Sequence, residues 1–400
     1  MEIRKFARLG LLAASAWGTL ATLGCGDRTA AEENPSDNGG LGGSTSGSAG
    51  KANASGGMAG SGIASGGTAG GGGRAGGGGQ SPQAGNGNGG GAPQGGGGAG
   101  GDTNGGTTPA VDCSAVPTEP TGIEPVLGAR GYHGIVFDAA GNLIGVHDGT
   151  IYKTTSDGVA TVLAAGFSQI EGLDVFPNGD LLAVAADDQG NASLTRITMA
   201  GAQQKLLGVS FTTYGVRVVP SGWIYFGEQD GLQIFNPASK QVRSLAMPVQ
   251  PRVLDYSPDH KTMYVGTLTT DDMPPGSGPV NPLAADQVGL VYQFDLDAAY
   301  LPLGKPRLFA SKVGGGYHDG LGVDACGNLF VADFQTSGLY RVTSDGKVSL
   351  YHQWKEETYG HSLAWGSGVG GWDRLTLYQP QPYNNDHVVK LVAGVPSRPR

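Results

Sequence analysis

Cysteine is scarce in this 400-residue chain, with three in all, and positive charge is outnumbered: 25 Lys and Arg stand against 34 Asp and Glu, a formal net charge of −9. Residues 111–400 hold 19 of the basic and 28 of the acidic groups, so the whole excess lies there. That balance argues against a phosphate backbone as partner. Glycine is abundant at 74 residues, yet it follows no strict three-residue period, which excludes collagen. No amphipathic helical period of useful length runs through 111–400, which excludes a helical bundle and leaves an all-β reading.

The first 25 residues read as an export signal. Arg4, Lys5 and Arg8 precede the apolar "LGLLAASAWGTLATLG", which is too short and too rich in small residues for a stable membrane span. Gly24-Cys25 resembles the end of a bacterial lipobox, with Thr22 where leucine is usual. The resemblance implies a lipid on Cys25 and an exported chain held at the bacterial cell envelope by that anchor alone; plain secretion is the other reading. Residues 26–110 form a linker, with 33 glycines between 39 and 110. Such a stretch buries too little apolar surface to offset its backbone entropy, and it reaches roughly 47 Å as a flexible tether. With Cys25 assigned to the anchor, Cys113 and Cys326 remain as a pair in an oxidising compartment. A disulfide between them is expected, two unrelated thiols being the alternative.

From 111 to 400 the chain repeats itself. "GYHGIVFDAAGNLIGV" at 131 and "GYHDGLGVDACGNLFVADF" at 316 are near copies, and similar units start near 170, 214, 251 and 360. Each unit carries short β-branched or apolar runs separated by Asn, Asp or Gly turns. A four-stranded sheet repeated six times predicts a six-bladed β-propeller. One step is long because of an insertion over 268–288, whose place relative to the channel is left open. The last unit supplies three strands, so "IEPVLGA", 123–129, is expected to close the ring as its fourth, held there by the Cys113–Cys326 bond.

The residues just before each innermost strand should converge on the channel axis. They are His133, Glu171, Tyr214, Arg252, His318 with Asp319, and His361. Three histidines, two carboxylates, a tyrosine and an arginine at one repeat phase predict a metal, acid/base or anion site. Each also has a plainer reading: Glu171 and Asp319 as backbone hydrogen-bond acceptors or partners of Arg252, and Tyr214 as packing.

"HDGLGVDACGNLFVADFQTSGLYRVTSDGKV" and "LDYSPDHKTMYVGT" resemble the senescence marker protein, gluconolactonase and luciferin-regenerating enzyme superfamily. The resemblance implies a six-bladed propeller, hydrolysis of sugar lactones or related esters, and a divalent metal in the channel. Asp319 matches the aspartate that the family uses as metal ligand and general base. His133, Tyr214 and Arg252 replace the glutamate and two asparagines expected beside it.

An arginine in the ring opposes an oxygen-only calcium site, whereas histidines suit zinc. Two functions follow. In one, Asp319 is the catalytic base of a metal-assisted lactone or ester hydrolase, with His133, Glu171, His318, Asp319 and His361 as metal ligands. In the other, a non-catalytic surface propeller binds a small anion or an extracellular partner, with Arg252 and Tyr214 as the ligand-binding residues. Both place a small molecule in the channel of a monomer. The hydrolase reading also expects Asp319→Asn to abolish turnover and leave the melting temperature nearly unchanged in metal-free buffer.

Overall fold

A computed structural model describes residues 111–210, 213–229, 231–269, 287–355, 358–383 and 387–398. The export signal, Cys25, the glycine-rich linker and most of the 268–288 insertion lie outside the described residues. Among the described residues the chain forms twenty-four strands and no helix, arranged as six four-stranded sheets. The architecture is a six-bladed β-propeller.

Local sequence explains the blades. Blade one runs Ile135–Phe137, Leu143–His147, Thr150–Thr154 and Ala160–Ala164, apolar and β-branched runs that pair in antiparallel order. The turn after its inner strand is built by Asp138, whose Oδ1 accepts the Asn142 backbone N–H at 2.7 Å while Asn142 Nδ2 donates to Oδ2 at 2.7 Å. Asp324 and Asn328 repeat the device at 2.8 and 2.7 Å. Gly141 and Gly327 adopt φ of 81° and 78°, the left-handed conformation that glycine enters without a Cβ clash. Half of the near-duplication at 131 and 316 is therefore hairpin chemistry.

Burial grades outward. The inner strand His318–Val323 is buried along its whole length, whereas the outermost strand Gln203–Gly208 is half-buried at best. Apolar side chains meet between blades: Ile144 and Ile151 of blade one pack with Ile170 and Leu181 of blade two, and Phe330 and Leu339 of blade five with Trp365 and Leu377 of blade six. Each such side chain contributes about 1.5–3 kcal/mol of transfer free energy.

The ring closes through the chain's early part. Ile123–Val126 pairs antiparallel with His387–Val392, from Ile123 opposite Leu391 to Val126 opposite Val388. The strand stops at Val126, three residues short of the expected end, because Gly128 turns the chain at φ 73°. Cys113 and Cys326 are joined in a disulfide, and Arg341 Nη1 donates to the carbonyls of Val116 and Pro117 at 3.4 and 3.2 Å. Both contacts tie the segment before the closing strand to blade five. Among the described residues the tail contains no strand, yet Ser397 bridges Asp324 and the Arg398 side chain is buried.

Candidate functional site

The inner strands are irregular at one point. Pairing shifts register between Ile170 and Leu173, between Pro251 and Val253, and between His318 and Gly320. Each shift is a bulge that re-aims a side chain, and the residues it frees are Glu171, Arg252 and Asp319. Four ring positions are followed by glycine: Gly134, Gly172, Gly215 and Gly320. A Cβ at Gly172 would lie 2.2 Å from the Tyr214 carbonyl oxygen, and one at Gly215 would lie 2.3 Å from that of Arg252. Adjacent blades approach here too closely for any side chain, so the residue before each glycine is pressed toward the axis.

Beneath this corner lies a cavity of about 50 Å³, bordered by His133, Glu171, Tyr214, Arg217, Asp319 and His361. That is room for about three to five waters at roughly 10–15 Å³ of such space each.

Arg252 is locked in place. Its Nε and Nη2 donate to Asp319 Oδ1 at 2.9 and 2.7 Å, and Nη2 also donates to the Tyr317 hydroxyl at 3.0 Å. The guanidinium lies 3.5 Å from the Tyr214 ring centroid and 4.1 Å from that of Tyr317, a double cation–π contact. Burial opposes ionisation of Asp319, but the Arg252 charge and then His361 outweigh it and hold the carboxyl below its ordinary range.

The other half of the corner is less satisfied. Asp319 turns its second oxygen, Oδ2, toward His361 Nδ1 at 2.8 Å. His361 Nδ1 also faces His133 Nδ1 at 3.0 Å, and His133 Nδ1 lies 3.5 Å from Glu171 Oε2. Two facing ring nitrogens can share one proton, or give both lone pairs to one cation. One ligand atom each from His133, Asp319 and His361 falls within 4.8 Å of the others. Glu171 Oε2 and His361 Nε2 are buried and make no hydrogen bond among the described residues. Burial pushes the Glu171 carboxyl up to about 8 against the pull of Arg252, and burial followed by His361 pushes His133 well below its ordinary value.

His318 stands apart from this cluster, which corrects its assignment as a ligand. Its Nδ1 accepts the Thr267 backbone N–H at 3.1 Å, so Nε2 carries the proton and donates to the Val313 carbonyl at 2.8 Å. Both ring nitrogens are used by backbone, and the residue is fully buried between strands. Arg252 is likewise corrected as an anion grip: its side chain is 3% exposed and its charge is already matched by Asp319. Tyr214 is the stacking platform of Arg252.

Sequence reasoning missed Tyr317, which completes the Arg252 clamp, and Gln169, which donates to Glu171 Oε1. It also missed an aromatic collar at the mouth. Phe334 stacks on Tyr359 with centroids 4.4 Å apart, and Tyr383 lies 5.4 Å from Tyr359 and 6.1 Å from His361. The repeat phase hinted at Tyr317, one residue before His318, but the collar residues Phe334 and Tyr383 follow the second strands of their blades, Leu329–Asp333 and Thr376–Gln381, outside the phase that marks the channel.

The profile of the SMP-30/gluconolactonase/LRE-like region matches residues 134–378. No protein of curated function is a significant sequence match. Among solved structures the chain is similar to a gluconolactonase from Xanthomonas campestris, with 17% identity, 68% of this chain and 89% of that one covered, and a TM-score of 0.52. It is similar to a luciferin-regenerating enzyme, with 18% identity, coverage of 69% and 97%, and a TM-score of 0.52. A calcium-binding regucalcin from Agrobacterium tumefaciens gives 18% identity, coverage of 71% and 94%, and a TM-score of 0.50. At these identities the structures speak for the fold. With the profile spanning more than half of its length, the chain belongs to the SMP-30/gluconolactonase/LRE-like family.

Proposed function

We propose that this member of the SMP-30/gluconolactonase/LRE-like family is a metal-assisted hydrolase of lactones or related esters, working in the upper channel. The observation that carries the reading is the His133–His361–Asp319 cluster, with one ligand atom from each within 4.8 Å of the rest. The donor set does not fit calcium, which takes six to eight oxygens. Two imidazole nitrogens and one carboxylate oxygen fit zinc or a similar borderline metal with an open position. Arg252 does not oppose such an ion as a bare charge, because it is spent on Asp319 Oδ1 and leaves Oδ2 facing His361. A ligating carboxylate is commonly held by such an outer partner.

When bound, the metal would stabilise charge on the carbonyl oxygen and acidify a water. The chain's own residues do the rest. Asp319, the expected base, has Oδ1 held by Arg252 and Oδ2 facing His361. Glu171 Oε2, which makes no hydrogen bond at the cavity wall, is instead positioned to take a proton from the attacking water once its carboxyl is ionised, above about pH 8. The hydroxyl goes to the acyl carbon, the ring C–O bond breaks, and the departing alkoxide receives the proton, giving a hydroxy acid. Lipidation of Cys25 would hold this propeller at the cell envelope on its glycine-rich tether.

The test is calorimetric titration of the full chain with calcium, manganese and zinc, followed by a lactone and ester panel. Stoichiometric zinc binding that disappears in His133→Ala and His361→Ala, with turnover that follows zinc loading, is the expected result. Calcium binding that ignores both substitutions would overturn the assignment.

A further inference from the structure

The mouth above the cavity is aromatic on one side. Tyr132 of blade one sits 4.4 Å from His133 and 6.4 Å from Tyr383 of blade six. Phe334 of blade five lies 5.5 Å from His361 and 6.0 Å from Tyr383. Tyr317 continues the wall, 4.9 Å from Phe334, and reaches Arg252. All of these rings, with Tyr359 stacked behind Phe334, are only partly buried, so an aromatic face made by three blades opens directly over the two histidines.

We propose that this collar selects an aromatic acyl or lactone substrate, an aryl-fused or arylalkyl ester, over a polyhydroxylated sugar lactone; the proposal deepens the hydrolase reading and rests on it. Size is the first argument. The cavity of about 50 Å³ accepts an ester group but not a whole sugar ring, so the remainder of the substrate must lie in the collar. Polarity is the second. A polyol needs unspent donors and acceptors around it, whereas beside the collar Arg252 is spent on Asp319 Oδ1 and the Tyr317 hydroxyl, and Gln169 is spent on Glu171. Aromatic rings instead meet a planar ring by offset or edge-to-face contact, as the collar rings already meet one another. Glu171 and His361, each with a buried atom that makes no hydrogen bond, line the cavity where the ester group would sit.

The experiment titrates the full chain with two stable lactams, 3,4-dihydroquinolin-2-one and gluconolactam, by calorimetry. The aryl lactam is expected to bind at least about tenfold tighter, and Phe334→Ala and Tyr383→Ala should each weaken it by about tenfold. If either alanine variant fails to fold, Phe334→Leu keeps the bulk without the aromatic face and should show the same direction. Tighter gluconolactam binding, or an aryl affinity indifferent to the substitutions, overturns the proposal. Aryl preference without turnover of dihydrocoumarin would sustain the collar and overturn the hydrolase reading. Turnover of gluconolactone in preference to dihydrocoumarin would sustain the hydrolase and overturn the collar.

Discussion

The two ends of the central channel use the same charges differently. At the lower end, three residues further along each inner strand, Asp174 and Asp255 face Arg217 and Arg398. Asp174 Oδ2 accepts the Val218 N–H at 2.7 Å, and Asp255 Oδ2 accepts the Val323 N–H at 2.9 Å. Arg217 lies 3.4 Å from both carboxylates, and Arg398 donates to Asp255 Oδ1 at 2.9 and 2.6 Å while its guanidinium stacks 3.3 Å from Tyr256. Two anions meet two cations, and each carboxylate also holds a backbone N–H. At the upper end Glu171 and Asp319 face one arginine and two histidines, and three buried polar atoms, Glu171 Oε2, Asp319 Oδ2 and His361 Nε2, complete no hydrogen bond. A buried network that is completed internally braces the ring; one left incomplete is poised for something outside the chain.

The largest break of this contrast is Asp319→Asn in metal-free buffer. The expectation that the substitution would leave stability nearly unchanged fails on the Arg252 clamp, because the variant strands a fully buried guanidinium without its counter-charge. Breaking a buried pair from one side costs about 3–5 kcal/mol. Denaturant unfolding of the variant checks this, and an unchanged midpoint would mean that Arg252 finds another partner. Double replacement of Arg252 and Asp319 by apolar residues should recover part of the loss.

How much of this was readable in the sequence differs by level. The repeat phase, the turn residues and the missing fourth strand of the last blade made the propeller and its closure legible, because hairpin chemistry is local. The ring positions 133, 171, 214, 252, 319 and 361 were legible as a phase. Which side chain of a neighbouring pair faces the axis was not. His318 and Asp319 alternate, and a bulge decides between them; no bulge can be read from "YHDG" alone. Arg398 was illegible for a related reason: the described residues 394–398 form no strand, and its place against Asp255 joins residues 143 apart in the chain.

The two ends should also titrate with opposite sign. At the upper end the folded Glu171 carboxyl sits near 8, above its unfolded value of 4.5. Between about pH 4.5 and 8 the folded state holds a proton that the unfolded state has released, so stability falls as pH rises, by at most about 1.4 kcal/mol per pH unit. At the lower end burial opposes the Asp255 charge, but Arg217 and then Arg398 outweigh it and hold the carboxyl below its unfolded value. Its contribution is present above that value and is lost as pH falls through the folded one. His133, held well below its ordinary value, opposes this slope below about pH 6.5, so in chelator Glu171→Gln should flatten the decline between about pH 6.5 and 8 and leave the acid limb alone. A decline of equal slope in both proteins would assign it to another group.

The smallest effect concerns whether the ends are independent. Arg398→Ala removes one of the two cations from Asp255 but leaves Arg217 and the Val323 N–H in place, so the carboxylate is not stranded. The loss should be about 2 kcal/mol, the range of a hydrogen bond to a charged group. Arg398→Lys should recover only part of it, since an ammonium keeps the charge but not the planar stacking on Tyr256. Zinc affinity at the upper end should stay within about twofold, because the substituted side chain touches none of His133, His361 or Asp319 and distant sites add independently. A tenfold fall in zinc affinity would show that the brace below sets the geometry above, and the channel would then have to be treated as one coupled network.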